Sequence, residues 1–128
     1  MRFLSADDVI SVVREAIQDR LVLSVRYQHT DEKEIVEHKI APFDIGSTNP
    51  KTERQTQNNL YAYSYTRISS NTNLPDPRVV AFNINNFLEI KPTGENFDEV
   101  ELSKKNFNVT GYDYRYCRFA LLPNRDWY

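Results

Sequence analysis

Residue types that mark several classes of protein are scarce in this chain. Its 128 residues include one cysteine, Cys117, two histidines, His29 and His38, and three glycines. A lone cysteine cannot form an internal disulfide and is typical of a reducing cytoplasm, and these three side chains are too few for a closed zinc site. No glycine-rich loop is present to hold a phosphate. We therefore expect no metal and no cofactor.

The chain also lacks long apolar runs and a basic excess. No run approaches the roughly 18 apolar residues of a membrane span, and two carboxylates, Asp7 and Asp8, interrupt the amino terminus before a signal peptide could form. Lys plus Arg number 16 and Asp plus Glu 18, for a net charge of -2, which argues against a dedicated duplex-DNA binder. These features predict a cytoplasmic protein without a membrane partner.

Apolar and aromatic residues are plentiful. Hydrophobic residues make up 40% of the chain, and there are eight tyrosines and seven phenylalanines. Such a chain can bury a core, and its length suits one domain.

The order of apolar residues predicts one helix followed by strands. Apolar residues at three- and four-residue intervals predict a helix from Ala6 to Gln18, begun by a capping box from Ser5 to Asp8. Alternation then predicts strands at 21–28, 35–43, 60–67, 78–84, 87–91 and 109–122. Pro42 indicates an edge or a strand end, and Pro92 and Gly94 should stop the fifth strand.

These elements predict an α+β fold. We expect the helix to pack on a small antiparallel barrel of the SH3 or Sm type within residues 1–101. Residues 102–128 would add a C-terminal strand extension to the same domain.

Five short segments occur in an order that is typical of one family. They are Ala-Ile at 16–17, Leu-Ser-Val-Arg-Tyr at 23–27, Ile-Ala-Pro-Phe at 40–43, Leu-Tyr-Ala-Tyr at 60–63 and Phe-Asn-Ile-Asn-Asn-Phe at 82–87. Together they resemble the WYL domain. The resemblance implies a small barrel with a preceding helix. WYL proteins are mostly bacterial sensors and regulators, often tied to phage defence, CRISPR systems or DNA damage, and several are thought to bind single-stranded nucleic acid or nucleotides.

The match to the WYL ligand pocket is partial. Tyr63 and Arg67 match the family pattern, Tyr65 takes the place of its histidine, and Asn86 takes the place of a later arginine. Of the Trp-Tyr-Leu signature only Leu60 is present. Since one helix alone fits before the first strand, the resemblance implies a stand-alone sensor or adaptor and not a transcription factor by itself.

A repeated pattern, Tyr-x-Tyr-x-Tyr-x-Arg, is the strongest candidate for a binding site. In a strand, its tyrosines and arginine share one face, where the rings could stack on unpaired bases, at about 1–3 kcal/mol per base, and the arginine could bind a phosphate. Ser64 and Asn86 could read a polar edge of the ligand. We call the two copies the Tyr/Arg segments; their members are Tyr61, Tyr63, Tyr65, Arg67, Tyr112, Tyr114, Tyr116 and Arg118. The alternative is that paired tyrosines only stabilise the sheet.

Catalytic residues are not evident. Cys117 lies on the apolar side of a predicted strand, His38 lies between apolar strand residues and should be a partly buried hydrogen-bonding group, and His29 should be exposed in a turn. We therefore expect a non-enzymatic sensor for a nucleotide or a short single strand. The alternative is a protein-interaction module or homodimer with no small ligand.

Overall fold

The computed structural model describes residues 2–29, 34–45, 59–69, 71–98 and 101–102. It contains one helix and five strands, which confirms the α+β class. The elements are α1 (Ala6–Asp19), β1 (Leu21–Gln28), β2 (Ile35–Ile45), β3 (Asn59–Ser64), β4 (Arg78–Asn83) and β5 (Phe87–Asn96). The predicted C-terminal strand lies outside the described residues, as does all of the predicted extension beyond Leu102.

The strands form one antiparallel sheet in the order β4-β3-β2-β1-β5. In the part of the chain that the structure describes, β4 and β5 are the two edges of this sheet and no pairing joins them. The closed barrel is therefore not confirmed. Within the same residues, no helix is long and apolar enough to span a membrane.

The helix begins and ends with capping contacts. The Ser5 hydroxyl accepts a hydrogen bond from the backbone N–H of Asp8 at 3.2 Å, as the capping box predicted. At the other end Arg20 adopts a left-handed conformation, with φ at 55°, and its N–H donates to the carbonyl of Ala16. These caps limit α1 to the stretch whose apolar residues face the sheet.

Both faces of the sheet are covered. One face packs against α1, and we call it the helix-side face; its buried residues include Leu23, Val25, Tyr27, Ile40, Leu60, Ala62, Phe82 and Phe87. We call the other the opposite face, and it consists of Val22, Ala41, Phe43, Tyr61, Tyr63 and Val79, against which Phe97 and Leu102 pack. Residues that follow β5 thus bury a face that the sequence alone would leave in water.

Pro42 does not mark an edge. Its strand, β2, lies between β1 and β3, so this prediction was wrong. The register shifts between Pro42 and Asp44, which pair with the consecutive residues Ala62 and Tyr61. A bulge of this kind accommodates proline, which has no N–H to offer the ladder.

Neither Pro92 nor Gly94 ends β5, which continues to Asn96. The strand is an edge, where proline is tolerated. Between the pairs Leu23–Pro92 and Leu21–Asn96 the register is irregular, and Gly94 there has a φ of 89°, which favours glycine. The residues expected to stop the strand instead bend it.

Candidate functional site

Only the first part of the first Tyr/Arg segment, from Tyr61 to Ser64, lies in a strand. β3 ends at Ser64, three residues earlier than predicted. The N–H of Tyr65 still donates to the carbonyl of Lys39 at 2.9 Å, and the N–H of Lys39 donates to the Thr66 hydroxyl at 3.0 Å. The described residues between β3 and β4, 65–69 and 71–77, form a loop, which we call the 65–77 loop. Period-two alternation therefore does not extend to Arg67.

Tyr61 and Tyr63 lie in the core. Their exposed fractions are 3% and 8%, and both belong to the opposite face. The prediction that these rings are accessible was wrong, because Phe97 and Leu102 pack on that face. Neither ring offers a surface on which a base could stack.

Tyr65 and Arg67 do not share a face. The ring of Tyr65 is 37% exposed and packs edge-on against Tyr63, with centroids 5.3 Å apart. Partial burial, then the neighbouring Tyr63 and Glu95, raise the pKa of Tyr65. Arg67 instead lies near His38, so the predicted common Tyr/Arg face is not formed.

Arg67 borders an open cleft of about 720 Å³ between the 65–77 loop and the adjoining ends of β1 and β2. The residues that matter for its chemistry are polar or charged. They are His29, Glu34, Glu37, His38, Arg67 and Asn73.

Two guanidinium groups share one carboxylate beside this cleft. Arg67 Nη1 donates to Asp76 Oδ2 at 2.7 Å, and Arg78 Nη2 donates to the same oxygen. The Arg67 side chain is 27% exposed and that of Arg78 56%. Glu34 and Glu37 also line the cleft, so these two cations do not make it positive overall, but Asp76 would keep a partner if Arg67 turned away.

The two histidines of the chain meet in the cleft. His38 Nδ1 lies 2.9 Å from the hydroxyl of Ser64, and His38 Nε2 lies 3.4 Å from His29 Nε2. His38 is 5% exposed, so the sequence prediction of a partly buried hydrogen-bonding residue is confirmed. His29 is not an exposed turn residue: it is half-buried and packs edge-on against Tyr27.

His38 is uncharged at neutral pH. Burial, and to a lesser degree the nearby His29 and Arg67, lower its pKa from 6.5 to about 4. A neutral imidazole has one N–H and one bare nitrogen. The ring of His38 is further held by an edge contact with Phe82, whose centroid lies 5.2 Å away.

A serine beside a histidine is also how many hydrolases activate a nucleophile. The Ser64 hydroxyl, however, belongs to a side chain with 0% exposure, so a substrate in the cleft cannot reach it. We therefore assign this pair to the positioning of His38. Ser64 is not the accessible polar reader that the sequence suggested.

Asn86 holds the corner between β4 and β5. Its Nδ2 donates to the carbonyl of Gln28 at 3.1 Å, and its backbone N–H donates to the carbonyl of Asn83 at 3.0 Å. Gln28 in turn donates its N–H to the carbonyl of Asn86. This side chain therefore ties the corner to the end of β1.

The second Tyr/Arg segment lies outside the described residues. Its members, Tyr112, Tyr114, Tyr116 and Arg118, stay predictions. Among the residues that the structure describes, no group of three or more His, Cys, Asp or Glu could hold a metal ion.

Sequence pattern alone could not find the cleft. It did place His38 on a strand between the apolar residues Val36 and Ile40 and predicted partial burial. The partners of His38 come from β3 and from the end of β1, and their approach depends on how the strands pair.

No known protein family matches this sequence, and none of the curated proteins matches it. The structure is similar to part of the proteasome accessory factor B/C (PafBC) of Arthrobacter aurescens, with a TM-score of 0.52 and 14% sequence identity. The match covers 80% of this chain and 14% of the PafBC chain. At this identity the similarity shows the fold alone.

Proposed function

We propose that this protein is a non-enzymatic regulatory module that binds a nucleotide in the cleft beside Arg67. The observation that carries the proposal is the position of Arg67, which the WYL resemblance assigns to ligand binding and which lies at the wall of the polar cleft. The regulatory role rests on the WYL resemblance of the sequence, and the similarity to part of PafBC concerns the fold alone.

The size and charge of the cleft favour a nucleotide over a longer strand. Small-molecule sites commonly enclose about 300–1,000 Å³, and this cleft has about 720 Å³. Arg67 could bind one phosphate, while Glu34 and Glu37 on the same lining could accept hydrogen bonds from amino groups of a base. Further phosphates of an oligomer would meet these two carboxylates. This site replaces the buried tyrosine rings as the point of contact.

The contacts of Asp76 suggest how binding could be transmitted. A phosphate would compete with Asp76 for Arg67, and Asp76 would keep its ion pair with Arg78. Ligand binding would then weaken the ion pair between Arg67 and Asp76, which is one of the contacts that hold the 65–77 loop. That loop carries two exposed apolar side chains, Ile68 and Leu74, where a partner protein could detect the change.

Isothermal titration calorimetry with nucleoside monophosphates tests the proposal, with nucleosides and short DNA and RNA oligomers as comparison ligands. Loss of a charge-assisted hydrogen bond in Arg67→Ala should weaken phosphate-dependent binding about 10- to 100-fold. Arg78→Ala is the matched control: it removes the other guanidinium from Asp76 and should change affinity much less. Absence of binding by every nucleotide and oligomer, or equal affinity of wild type and Arg67→Ala, would contradict the proposal.

A second candidate function is protein interaction without a small ligand. Ile68 and Leu74 are 61% and 63% exposed on one loop, and exposed apolar side chains are candidates for a protein interface. Sizing the protein in solution, with and without residues 103–128 and in an Ile68→Ser, Leu74→Ser double variant, separates the candidates. If either variant no longer assembles, and the wild-type protein binds no nucleotide, the results favour protein interaction as the function.

A further inference from the structure

We propose that the backbone of Ala81, on the outer edge of β4, binds the Watson–Crick edge of the nucleobase in the cleft. This inference rests on the proposed function, because the base belongs to the nucleotide whose phosphate Arg67 would bind. It assigns base recognition to one N–H and one carbonyl of the main chain.

The pairing of the strands determines where the backbone groups of β4 point. Tyr65, the residue after β3, donates its N–H to the carbonyl of Lys39 in β2. Backbone groups alternate in direction along a strand, so the residues of β3 next to Tyr61 and Tyr63 direct theirs toward β4. Their partners in β4 are Arg78, Val80 and Phe82. Ala81 lies between two of these partners, so its N–H and carbonyl point away from the sheet.

The contacts of Asn83 agree with this direction. Asn83 is two residues after Ala81, and its backbone groups should also point away from β3. Its N–H donates to the hydroxyl of Tyr27 at 2.8 Å, and its carbonyl accepts from the N–H of Asn86 at 3.0 Å. Ala81 is exposed, and within the described part of the chain no hydrogen bond to its N–H or carbonyl is formed. Ala81 thus offers a donor and an acceptor side by side.

The outer edge of β4 is too short to add a further strand. Pro77 has no N–H, Asn83 already uses both backbone groups, and Val79 is 5% exposed. Strand addition needs a row of backbone hydrogen bonds, whereas a nucleobase presents adjacent donors and acceptors on one short edge. A single accessible residue therefore suits a base better than an extended peptide.

The position of Ala81 suits a ligand that also reaches Arg67. Both residues line the same cleft, together with the apolar side chains of Val36 and Val80. Small-molecule sites typically combine apolar walls with a few polar groups, including backbone N–H and carbonyl groups, that fix the orientation of the ligand. The carboxylates of the cleft would then remain for the ribose hydroxyls and any further amino hydrogen.

Calorimetric titration of the full chain with nucleoside monophosphates and with ribose 5-phosphate separates the base contact from the phosphate contact. Ala81→Pro removes an N–H that the sheet does not use, so its circular dichroism spectrum should match that of the wild type. This variant should bind the tightest nucleotide about tenfold more weakly, while its affinity for ribose 5-phosphate should not change. Ala81→Ser is the matched control, since it keeps the N–H and should bind as the wild type does. Arg67→Ala should weaken the binding of both ligands.

A nucleotide methylated on its Watson–Crick edge tests the same contact without a variant. Methylation at N1 of a purine or N3 of a pyrimidine should weaken binding at least about tenfold, because the edge can no longer approach Ala81. Unchanged affinity of the methylated nucleotide, or ribose 5-phosphate binding as tightly as the nucleotides, would overturn this inference and leave phosphate binding at Arg67 intact. Equal nucleotide affinity of Ala81→Pro and the wild type would do the same. Absence of binding by every nucleotide would overturn both proposals.

Discussion

The Nδ1 atom of His38 lies 2.9 Å from the Oγ atom of Ser64, and both side chains are buried. This hydrogen bond links β2 to the last residue of β3, immediately before the chain enters the 65–77 loop. It therefore fixes the ring of His38 in the cleft, and it lies next to the start of the loop that carries Arg67.

Ser64→Ala should destabilise the protein by about 1–3 kcal/mol, because the imidazole of His38 would be left buried without this partner. Urea denaturation monitored by circular dichroism measures the change. Ser69→Ala is a suitable control, since its hydroxyl accepts from Asn71 in an exposed turn, and it should cost about 0.5 kcal/mol or less. Equal effects of the two substitutions would show that the His38 contact adds no stability.

Stability should decrease when the pH is lowered from about 6.5 to about 4. The pKa of His38 is about 4 in the folded protein and returns to 6.5 on unfolding, so the unfolded chain binds more protons between these values. The free energy of unfolding should fall by up to about 3 kcal/mol over this range.

Denaturation in metal-free buffer across this pH range tests the effect, with His38→Gln as the comparison. The variant should have a flatter pH profile, whereas His29→Gln should keep most of the slope, because burial is the main cause of the lowered pKa. A profile in His38→Gln as steep as that of the wild type would assign the effect to other groups.

Tyr63→Ala and Tyr65→Ala should differ strongly in stability. Tyr63 is buried in the opposite face, and large-to-small substitution of a buried aromatic costs about 3–5 kcal/mol. Tyr65 is 37% exposed, so its truncation should cost about 1 kcal/mol or less. Chemical denaturation of both variants measures this, and comparable losses would contradict the burial assigned to Tyr63.

Alternation predicted much of the fold from sequence. It placed Tyr61 and Tyr63 on one face of β3 and Leu60 and Ala62 on the other, as the structure has them. It could not show that Phe97 and Leu102, which both follow β5, would cover the face that carries the tyrosines. Burial depends on distant segments that no local pattern reveals.

The ends of strands were harder to predict than their centres. Pro92 and Gly94 normally interrupt a strand, but at an edge the missing N–H and the positive φ are tolerated. In contrast, nothing in the alternating residues up to Arg67 signals that β3 ends at Ser64. That early end separates Arg67 from the tyrosines and brings it to the cleft.

The most direct test of nucleotide binding in the cleft is an NMR titration of the full chain with nucleoside monophosphates. The side-chain Nε–Hε signal of Arg67 is assigned by its absence in Arg67→Lys. As the ligand concentration rises, this signal and the signal of the His29 imidazole should both shift. The signals of Arg78 and of the Tyr61 ring should change little. If nucleotides leave the Arg67 signal unchanged, or shift it no more than that of Arg78, Arg67 is not a nucleotide contact and the proposed function is wrong.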